Sequence, residues 1–420
     1  MNDQAELTAS NLPAGFQWGA VRAGIKASGN LDLAVAIAHG TGSGAAVGAA
    51  MFTTNLVVAA PVTVGRRHLA STGGRVAAVL VNSGNANCAT GEPGIEGCVA
   101  TCVAVAESFG CIFDEVFPSS TGIIGVPFPA GKVVAAIPGL KASLGSTEEH
   151  AESFVRAIMT TDTRVKTAHA TVPVDPAQDH GNAAVVRIWG AAKGAGMIHP
   201  QLAAPPHATM LVYLFTDVAA RAEHLQAALA AAVEPSFNSI SIDGDTSTND
   251  TVLLLASGAS GVKLSKELAP AFDAALAEVC RSLARQIVAD GEGVSHSITL
   301  DIRGAASAAD ARLVAKAIAH SPLCKTAWSS ADPNWGRLLA AAGYSGATFD
   351  PARARIWIAG QPVFEYGLRA PSFDEAAAHH AMMQPEYTIT IDLGAGSGEC
   401  LFLTCDLTAE YVRINADYST

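Results

Sequence analysis

The sequence predicts an α+β protein. Three observations support this class: short apolar runs separated by glycine-rich turns, segments with apolar residues at helical spacing, and an apolar run of strand length at Thr209–Phe215. Half of the 420 residues are hydrophobic and 15% are charged, which is typical of a compact enzyme with large buried sheets. Because so long a chain exceeds one ordinary core, we expect two domains or two stacked layers of sheet.

The first half of the chain contains predicted strands and helices in alternation. The strands are predicted at Leu31–Ala38, Ala45–Phe52 and Arg75–Val81, and a helix of small residues at Gly94–Ser108. A further helix is predicted to begin at Ser146, where Ser-Thr-Glu-Glu matches a capping box, and to end near Met159. Its apolar face comprises Ala151, Phe154, Val155 and Ile158.

The second half begins with the run Thr209–Phe215, which predicts a strand buried on both faces with Thr209 as its first residue. Helices are predicted at Ala219–Val233 and Pro270–Ala289, and strands at Ser297–Arg303 and Arg355–Ala359. Within the first of these strands, Ile298, Leu300 and Ile302 share one face. Two more strands, Tyr387–Leu393 and Leu401–Leu407, are predicted to form a hairpin across Gly394–Gly398.

Charge and apolar patterning exclude several classes of function. The net charge of −12, without a basic run, argues against a nucleic-acid partner. The start of the chain lacks the features of a signal peptide, and the apolar runs are too short to span a membrane. The eight cysteines include no CxxC pair, so we expect reduced, mostly buried thiols, no zinc site and a cytoplasmic protein.

Common nucleotide and hydrolase motifs are absent. The sequence has no GxxxxGK[ST] phosphate loop and no GxSxG elbow, and the glycines of Gly394–Gly398 lack the dinucleotide-binding spacing. Asp243, Asp245 and Asp250 are grouped as in a metal loop, but the EF-hand spacing and its final glutamate are missing. We therefore favour structural support of a site by these aspartates over a metal centre.

One segment of the chain, Lys193–Pro200 followed by Ala208–Leu211, combines a glycine-rich turn with a threonine that begins a predicted strand. It belongs to a series of ordered segments, the others being Asn82–Asn87, Ser120–Gly125, Met159–Thr163, Asp243–Thr251, Asp290–Gly293, Ser321–Trp328, Asp332–Arg337 and Tyr411–Thr420. The series resembles the ornithine acetyltransferase (bifunctional glutamate N-acetyltransferase) family of arginine biosynthesis, and the first segment is similar to that family's cleavage-site signature. The resemblance covers the chain from about Gly15 to its last residue.

The resemblance implies a layered α/β/β/α sandwich in two lobes, with an N-terminal-nucleophile site between them. It also implies self-cleavage between Ala208 and Thr209, giving an α chain of 1–208 and a β chain of 209–420. Thr209 would then be the nucleophile. Its own α-amine, with a reference pKa near 8, could accept the hydroxyl proton once it is N-terminal.

The remaining site residues also come from the resemblance. Thr121 and Gly122 would form the oxyanion hole, supplying a hydroxyl and a backbone N–H. Lys193 is suited to hold a substrate carboxylate, and Glu292 an ornithine ammonium or a proton in transfer. The other implied substrate contacts are Thr160, Asn415 and Thr420.

The implied reaction moves an acetyl group from N2-acetylornithine to glutamate through acetyl-Thr209. The resemblance implies no bound cofactor, leaves acetyl-CoA open as a co-substrate, and suggests that two α and two β chains associate. Two departures stand out: the insertion Ala203–His207 immediately before the cleavage site, and His296 in place of the family's lysine, which could alter pH dependence. Two alternatives remain: an N-terminal-threonine amidase or aminopeptidase that uses water as acceptor, and an unprocessed, inactive homologue.

Overall fold

The computed structural model describes residues 11–42, 44–174, 185–202 and 210–417. The strands of these residues, in chain order, are β1 (Phe16–Val21), β2 (Leu33–Ala38), β3 (Ala46–Phe52), β4 (Arg75–Val76), β5 (Ala78–Asn85), β6 (Val116–Ile123), β7 (Lys166–Pro173), β8 (Val185–Lys193), β9 (Leu211–Thr216), β10 (Thr251–Ala256), β11 (Ser297–Ala305), β12 (Arg355–Ile358), β13 (Gln361–Glu365), β14 (Leu368–Arg369), β15 (Glu386–Asp392) and β16 (Gly398–Cys405). The helices are α1 (Ala60–Thr72), α2 (Gly91–Phe109), α3 (Ala130–Ala142), α4 (Glu148–Ile158), α5 (Ala222–Val233), α6 (Ala269–Ala289), α7 (Ala308–Ala319), α8 (Pro322–Ser329), α9 (Trp335–Gly343), α10 (Glu375–Met382) and α11 (Ala409–Asp417).

The strands form three sheets. The first has the order β1-β2-β5-β6, the second β4-β3-β10-β9-β8-β7, and the third β14-β13-β12-β15-β11-β16. In the first sheet β5 and β6 run parallel, and in the second β9 and β10 run parallel. As a result, the carboxyl ends of β5 and β6 lie side by side at the same end of the first sheet.

The first two sheets pack face to face with helices on both outer sides. Ala34 and Val81 of the first sheet share a buried core with Trp189 and Phe215 of the second. The outer side of the first sheet packs on α1, α2 and α3, and that of the second on α5 and α6. The predicted α/β/β/α layering is therefore confirmed.

Strand β9 shows why a continuous apolar run is needed at the centre of this sandwich. Every residue of β9 is buried. Tyr213 and Phe215 enter the core between the sheets, whereas Val212 and Leu214 enter the core beneath α5 and α6. Because side chains alternate between the two faces of a strand, a strand covered on both sides must be apolar throughout. The prediction of a doubly buried strand is confirmed for residues 211–215.

The third sheet forms a second lobe with its own core. Ile298, Leu300 and Ile302 lie on one face of β11, as predicted, and pack with residues of α7, α8, α9 and α10. The predicted hairpin is wrong, because β11 lies between β15 and β16 and pairs with both. The glycines after β15 instead bind β11, with the Ala395 and Gly396 N–H groups donating to the Gly304 carbonyl.

Other local predictions need smaller corrections. Arg75–Val81 is not one strand: β4 and β5 belong to different sheets. The predicted capping box at Ser146 does not form. Helix α4 begins at Glu148 after Thr147, whose hydroxyl instead contacts the His150 ring at 2.6 Å. The apolar face of α4 and its end near Met159 are as predicted.

Residues before and after position 208 are interleaved in the second sheet. Strands β9 and β10, from the later part of the chain, lie between β3 and β8, from the earlier part. The two halves on either side of 208 therefore share one sheet and its cores rather than folding as separate units. Among the described helices, none is both long and apolar enough to cross a lipid bilayer.

Candidate active site

One cavity, of about 250 Å³, brings together the predicted site residues that the structure describes. It is lined by all six of them: Thr121, Gly122, Thr160, Lys193, Glu292 and Asn415. Ala208, Thr209, Thr420 and the Ala203–His207 insertion lie outside the described residues. The sequence segments that contribute the six residues are far apart in the chain, so their convergence is a property of the fold.

Gly122 lies where β6 departs from regular pairing with β5. Its φ is +129°, and a Cβ added there would collide with the Gly84 backbone. The β5–β6 register shifts at Gly84 and Asn85, directly opposite. Only glycine accommodates this conformation and this close approach of two backbones. The irregularity exposes the end of β6 to the cavity.

The Thr121 hydroxyl accepts a hydrogen bond from the Lys193 ammonium, with 3.2 Å between Oγ1 and Nζ. Both side chains are buried. A lysine ammonium has three donors and no acceptor, so the threonine oxygen must be the acceptor in this contact. The hydroxyl proton of Thr121 therefore remains available to another acceptor.

Asp162 holds the backbone on both sides of this contact. Its carboxylate accepts hydrogen bonds from the Gly194 N–H at 2.7 Å and from the Thr160 N–H at 2.9 Å. It also accepts one from the Lys166 ammonium at 2.7 Å, and Lys166 in turn pairs with Asp290. Burial alone would raise the pKa of Asp162, but Lys166 and Lys193 hold it well below its usual range.

Lys193 and Asp250 are both buried ionisable side chains, and burial shifts the pKa of each. Burial lowers the pKa of Lys193, partly offset by the nearby Asp162 and Asp250. Burial raises the pKa of Asp250 well above its usual range. Within the described residues, neither carboxyl oxygen of Asp250 has a hydrogen-bond partner. Burial therefore disfavours the charged form of both side chains.

Glu292 and Asn415 form the opposite wall of the cavity. The Asn415 side-chain amide donates to the Glu292 carboxylate at 2.8 Å, which joins α11 to the turn after α6. The Glu292 backbone N–H donates to the Ala195 carbonyl at 2.9 Å. A Cβ at Gly196 would approach the Glu292 carboxylate to 2.5 Å, so a larger residue there would displace that side chain.

Asp243 supports the turn that follows Lys193. Its carboxylate accepts from the N–H groups of Met197 at 2.6 Å and Ile198 at 2.9 Å, and from the Tyr411 hydroxyl at 3.3 Å. Met197 has a φ of +55°, which is uncommon for a residue other than glycine. The structural role favoured for this aspartate is therefore confirmed. Among the described residues, no group of three or more His, Cys, Asp or Glu could hold a metal ion.

The residue before β9 is hydrogen-bonded to a segment that contributes to the cavity. Met210, fully buried, accepts a hydrogen bond at its carbonyl from the Thr251 N–H at 2.6 Å. Two residues before Thr251, Asn249 lines the cavity. Thr209 is joined to Met210 by a single peptide bond.

His296 contacts Asp406 rather than the cavity residues. Its Nδ1 lies 3.1 Å from the Asp406 carboxylate, and its ring lies 6.2 Å from that of Tyr387. It is not among the residues that line the cavity. The residue that stands in place of the family's lysine therefore lies outside the cavity lining.

Several residues of the site were not predicted from the sequence. Asp162 lies within a matching segment, yet only the structure shows that it anchors Thr160 and Gly194. Asn249 and Tyr411 likewise lie in matching segments without an assigned role. The partners of Asn249 and Tyr411 are more than a hundred residues away in the chain, and no local pattern predicts such contacts.

Comparisons with known proteins identify the family of the chain. The ArgJ family model matches residues 17–420. The chain is 44% identical over 412 residues to the arginine biosynthesis bifunctional protein ArgJ of Thermus thermophilus, covering 98% of this chain and all of that protein. It is 44% identical over 414 residues to the protein of the same name from Methylococcus capsulatus, covering 97% and 96% of the two chains.

Two solved structures are also similar. One is the ArgJ protein of Bacillus halodurans, 39% identical, covering 49% of this chain and 98% of that chain with a TM-score of 0.47. The other is ornithine acetyltransferase of Mycobacterium tuberculosis complexed with ornithine, 37% identical, covering 48% and 97% with a TM-score of 0.40. With a family match that spans nearly the whole chain and relatives above 40% identity, this chain belongs to the ArgJ family.

Proposed function

We propose that the chain cleaves itself between Ala208 and Thr209 and then transfers an acetyl group from N2-acetylornithine to glutamate through acetyl-Thr209. Family membership supports the reaction class. The observation that carries the proposal is the buried Lys193–Thr121 contact in a cavity that all six described site residues line. A charged donor group beside a threonine hydroxyl supports acyl transfer at this cavity.

The chemistry requires an activated threonine hydroxyl. Thr209 Oγ attacks the acetyl carbonyl carbon, its proton passes to its own α-amine, and the amide nitrogen of ornithine departs with a proton. Glutamate then attacks the ester through its α-amine, and Thr209 Oγ recovers a proton as it leaves. Self-cleavage would use the same hydroxyl against the Ala208 carbonyl.

Both steps pass through a tetrahedral oxyanion. The Thr121 hydroxyl and the Gly122 N–H are the proposed donors, since Lys193 already occupies the acceptor side of that hydroxyl. Each preorganised donor in such a site contributes about 3–4 kcal/mol to transition-state stabilisation. The lysine charge adds a favourable potential for the developing negative oxygen.

Substrate recognition is assigned to the remaining lining residues. Lys193 has two donors left for an α-carboxylate, and Glu292 supplies a negative charge for the ornithine ammonium. Thr160 and Asn415 line the same cavity and would contact the substrate, with Thr420 completing the set. No bound cofactor is required by this scheme, and acetyl-CoA would enter as an alternative acetyl donor.

The products of cleavage should remain together. Strands β9 and β10 are buried between β3 and β8, so chains 1–208 and 209–420 would stay associated without a covalent link. We propose that two copies of each chain assemble, and that the enzyme acts in the cytoplasm, where the mostly buried free cysteines stay reduced.

The test separates transfer from hydrolysis. Purified protein is incubated with N2-acetylornithine with or without glutamate, and N-acetylglutamate and acetate are quantified. The proposal predicts ornithine and N-acetylglutamate in equal amounts, little acetate without glutamate, and no turnover by a Thr209→Ala variant. Acetate formation that does not depend on glutamate would instead show an amidase. An uncleaved wild-type chain without turnover would identify an inactive homologue.

A further inference from the structure

Asn249 is a buried amide whose two donors are both used by backbone carbonyls. Its Nδ2 donates to the Ala86 carbonyl at 2.6 Å and to the Ser120 carbonyl at 2.9 Å. Its side chain is 1% exposed. Because a carbonyl oxygen only accepts hydrogen bonds, these two partners fix the orientation of the amide. The Oδ1 atom accepts from the Thr248 hydroxyl at 2.6 Å, which agrees with that orientation.

The two carbonyls belong to the segments that form the proposed oxyanion hole. Ser120 immediately precedes Thr121 on β6, and Ala86 follows the end of β5. The Ser120 hydroxyl donates to the Asn82 side chain at 2.6 Å, which ties β6 back to β5. Asn249 therefore hydrogen-bonds to the backbone at the irregular ends of both strands, β5 and β6.

The backbone that follows Asn249 is bonded to the start of β9. The Thr251 N–H donates to the Met210 carbonyl at 2.6 Å, and β10 then runs parallel to β9 with Thr251 beside Leu211. Asn249 is two residues from Thr251. One rigid segment thus binds the oxyanion strand through a side chain and the strand that follows Thr209 through its backbone.

These contacts cross between the two sheets of the sandwich. The oxyanion donors lie on the first sheet and β9 on the second. Apolar side chains packed face to face fix the distance between two sheets. Directional hydrogen bonds between the sheets additionally restrict sliding of one sheet over the other. Transfer rates depend steeply on such alignment, since a misplacement of about 1 Å can cost about a hundredfold.

We propose that Asn249 is a positioning residue that sets the Thr121–Gly122 donors against the nucleophile strand. The proposal rests on the proposed function, because it assigns Asn249 to acetyl transfer through Thr121. Asn249 acts through the donors rather than on the acetyl group itself. Its loss should therefore lower kcat while leaving the KM for N2-acetylornithine nearly unchanged.

The experiment is a double-variant cycle on the full chain. Wild type, Asn249→Ala, Thr121→Ala and the double variant are assayed, with activity expressed per processed chain measured by mass spectrometry. We expect Asn249→Ala to lower kcat about tenfold to a hundredfold. The double variant should be no slower than the slower single variant, because both remove the same stabilisation.

Two further variants keep the test independent of folding. Asn249→Asp retains the side-chain volume but places a carboxyl oxygen against the two carbonyls, so it should show at least the same loss of kcat per processed chain, together with a lower melting temperature. Gln286→Ala is the matched control: Gln286 also uses its amide on backbone, donating to the Thr167 carbonyl at 2.9 Å and accepting from the Thr167 N–H at 3.2 Å. It should reduce stability and leave kcat unchanged.

Multiplicative losses in the double variant, or an Asn249→Asp enzyme with at least about half of the wild-type kcat, would overturn the assignment. Gln286→Ala losing kcat as strongly as Asn249→Ala would also overturn it, since general loosening would then explain both. The failure of the proposed function is distinguishable, because the wild type itself would then produce no N-acetylglutamate.

Discussion

The Lys193 ammonium on β8 donates to the Thr121 hydroxyl on β6, a 3.2 Å contact that bridges the two sheets of the sandwich. Lysine was expected only to hold a substrate carboxylate. In the structure it also fixes which way the Thr121 proton can point. In the proposed mechanism, substrate binding and oxyanion stabilisation would therefore share one charged side chain.

Replacing Lys193 tests this double role. Lys193→Met should lower kcat about a hundredfold, because the Thr121 hydroxyl loses its fixed orientation and the oxyanion its nearby charge. The KM for N2-acetylornithine should also rise. Steady-state kinetics would show both changes. Lys132→Met is a suitable control, because Lys132 is exposed and donates to the Gly24 carbonyl away from the cavity. A changed KM with an unchanged kcat would restrict Lys193 to substrate binding.

Asp162→Asn should destabilise the protein and impair substrate binding together. The carboxylate is fully buried between Lys166 and the Gly194 and Thr160 backbones, so its removal leaves buried donors unpaired. Breaking a buried ion pair costs about 3–5 kcal/mol. Chemical denaturation measures the loss.

The stabilising effect of Asp162 also has a defined pH range. Because the pKa of Asp162 is held below its usual range in the folded state, its contribution is present above the unfolded pKa of about 3.9 and is lost as the pH falls through the folded value. Glu152→Gln is the control, since Glu152 pairs with Arg156 on the surface and should cost less than about 1 kcal/mol. Equal losses for the two variants would contradict the role of Asp162.

Asp250→Asn should stabilise the protein, and more so at higher pH. Burial raises the pKa of Asp250, so the folded state retains a proton that the unfolded state releases above about pH 3.9. The stability of the wild type is therefore reduced as the pH rises, whereas asparagine does not titrate. Melting temperatures at pH 5 and pH 8 test this. A variant less stable than wild type by a larger margin at pH 8 would show that Asp250 carries a needed charge.

One buried histidine, His199, and one partly buried histidine, His320, predict acid sensitivity. The rings of His199 and His320 lie 4.3 Å apart, edge to face, and join the turn before the cleavage site to the second lobe. Burial lowers the pKa of His199 to about 3 and that of His320 to about 4. Since unfolded histidine has a pKa near 6.5, stability should fall as the pH drops below about 6.5, by up to about 1.4 kcal/mol per pH unit for each histidine.

A His199→Asn/His320→Asn double variant should lose most of this dependence between pH 6.5 and pH 4. Denaturant unfolding at several pH values gives the slope directly. An unchanged slope would mean that other groups cause the acid sensitivity.

The sequence predicted the sandwich strands and helices where apolar patterns are long and local. Strand β9 and helix α4 could be predicted from their own side chains. A strand buried on both faces is a continuous apolar run, and a helix buried on one face has apolar residues at helical spacing. The partner of a strand leaves no such pattern, which is why the hairpin at Gly394–Gly398 was predicted wrongly. A glycine-rich turn indicates a change of direction but not which strand is bound afterwards.

The site shows the same division. Thr121 and Gly122 were identified only through family resemblance, since Ser-Thr-Gly is an ordinary turn sequence. Asn249 was missed because it bonds the carbonyls of distant segments, and Asp162 because its contact with the Gly194 N–H forms only in the fold. The roles of such polar residues depend on how the two sheets pack, and this packing cannot be deduced from a single sequence.

The central claim, acetyl transfer through an N-terminal Thr209, is tested most directly by intact-mass spectrometry of the purified protein with N2-acetylornithine. We predict two chains, 1–208 and 209–420, with the second heavier by one acetyl group on Thr209 and returning to its original mass when glutamate is added. A single uncut chain, or cut chains that never gain the acetyl group, would contradict the account.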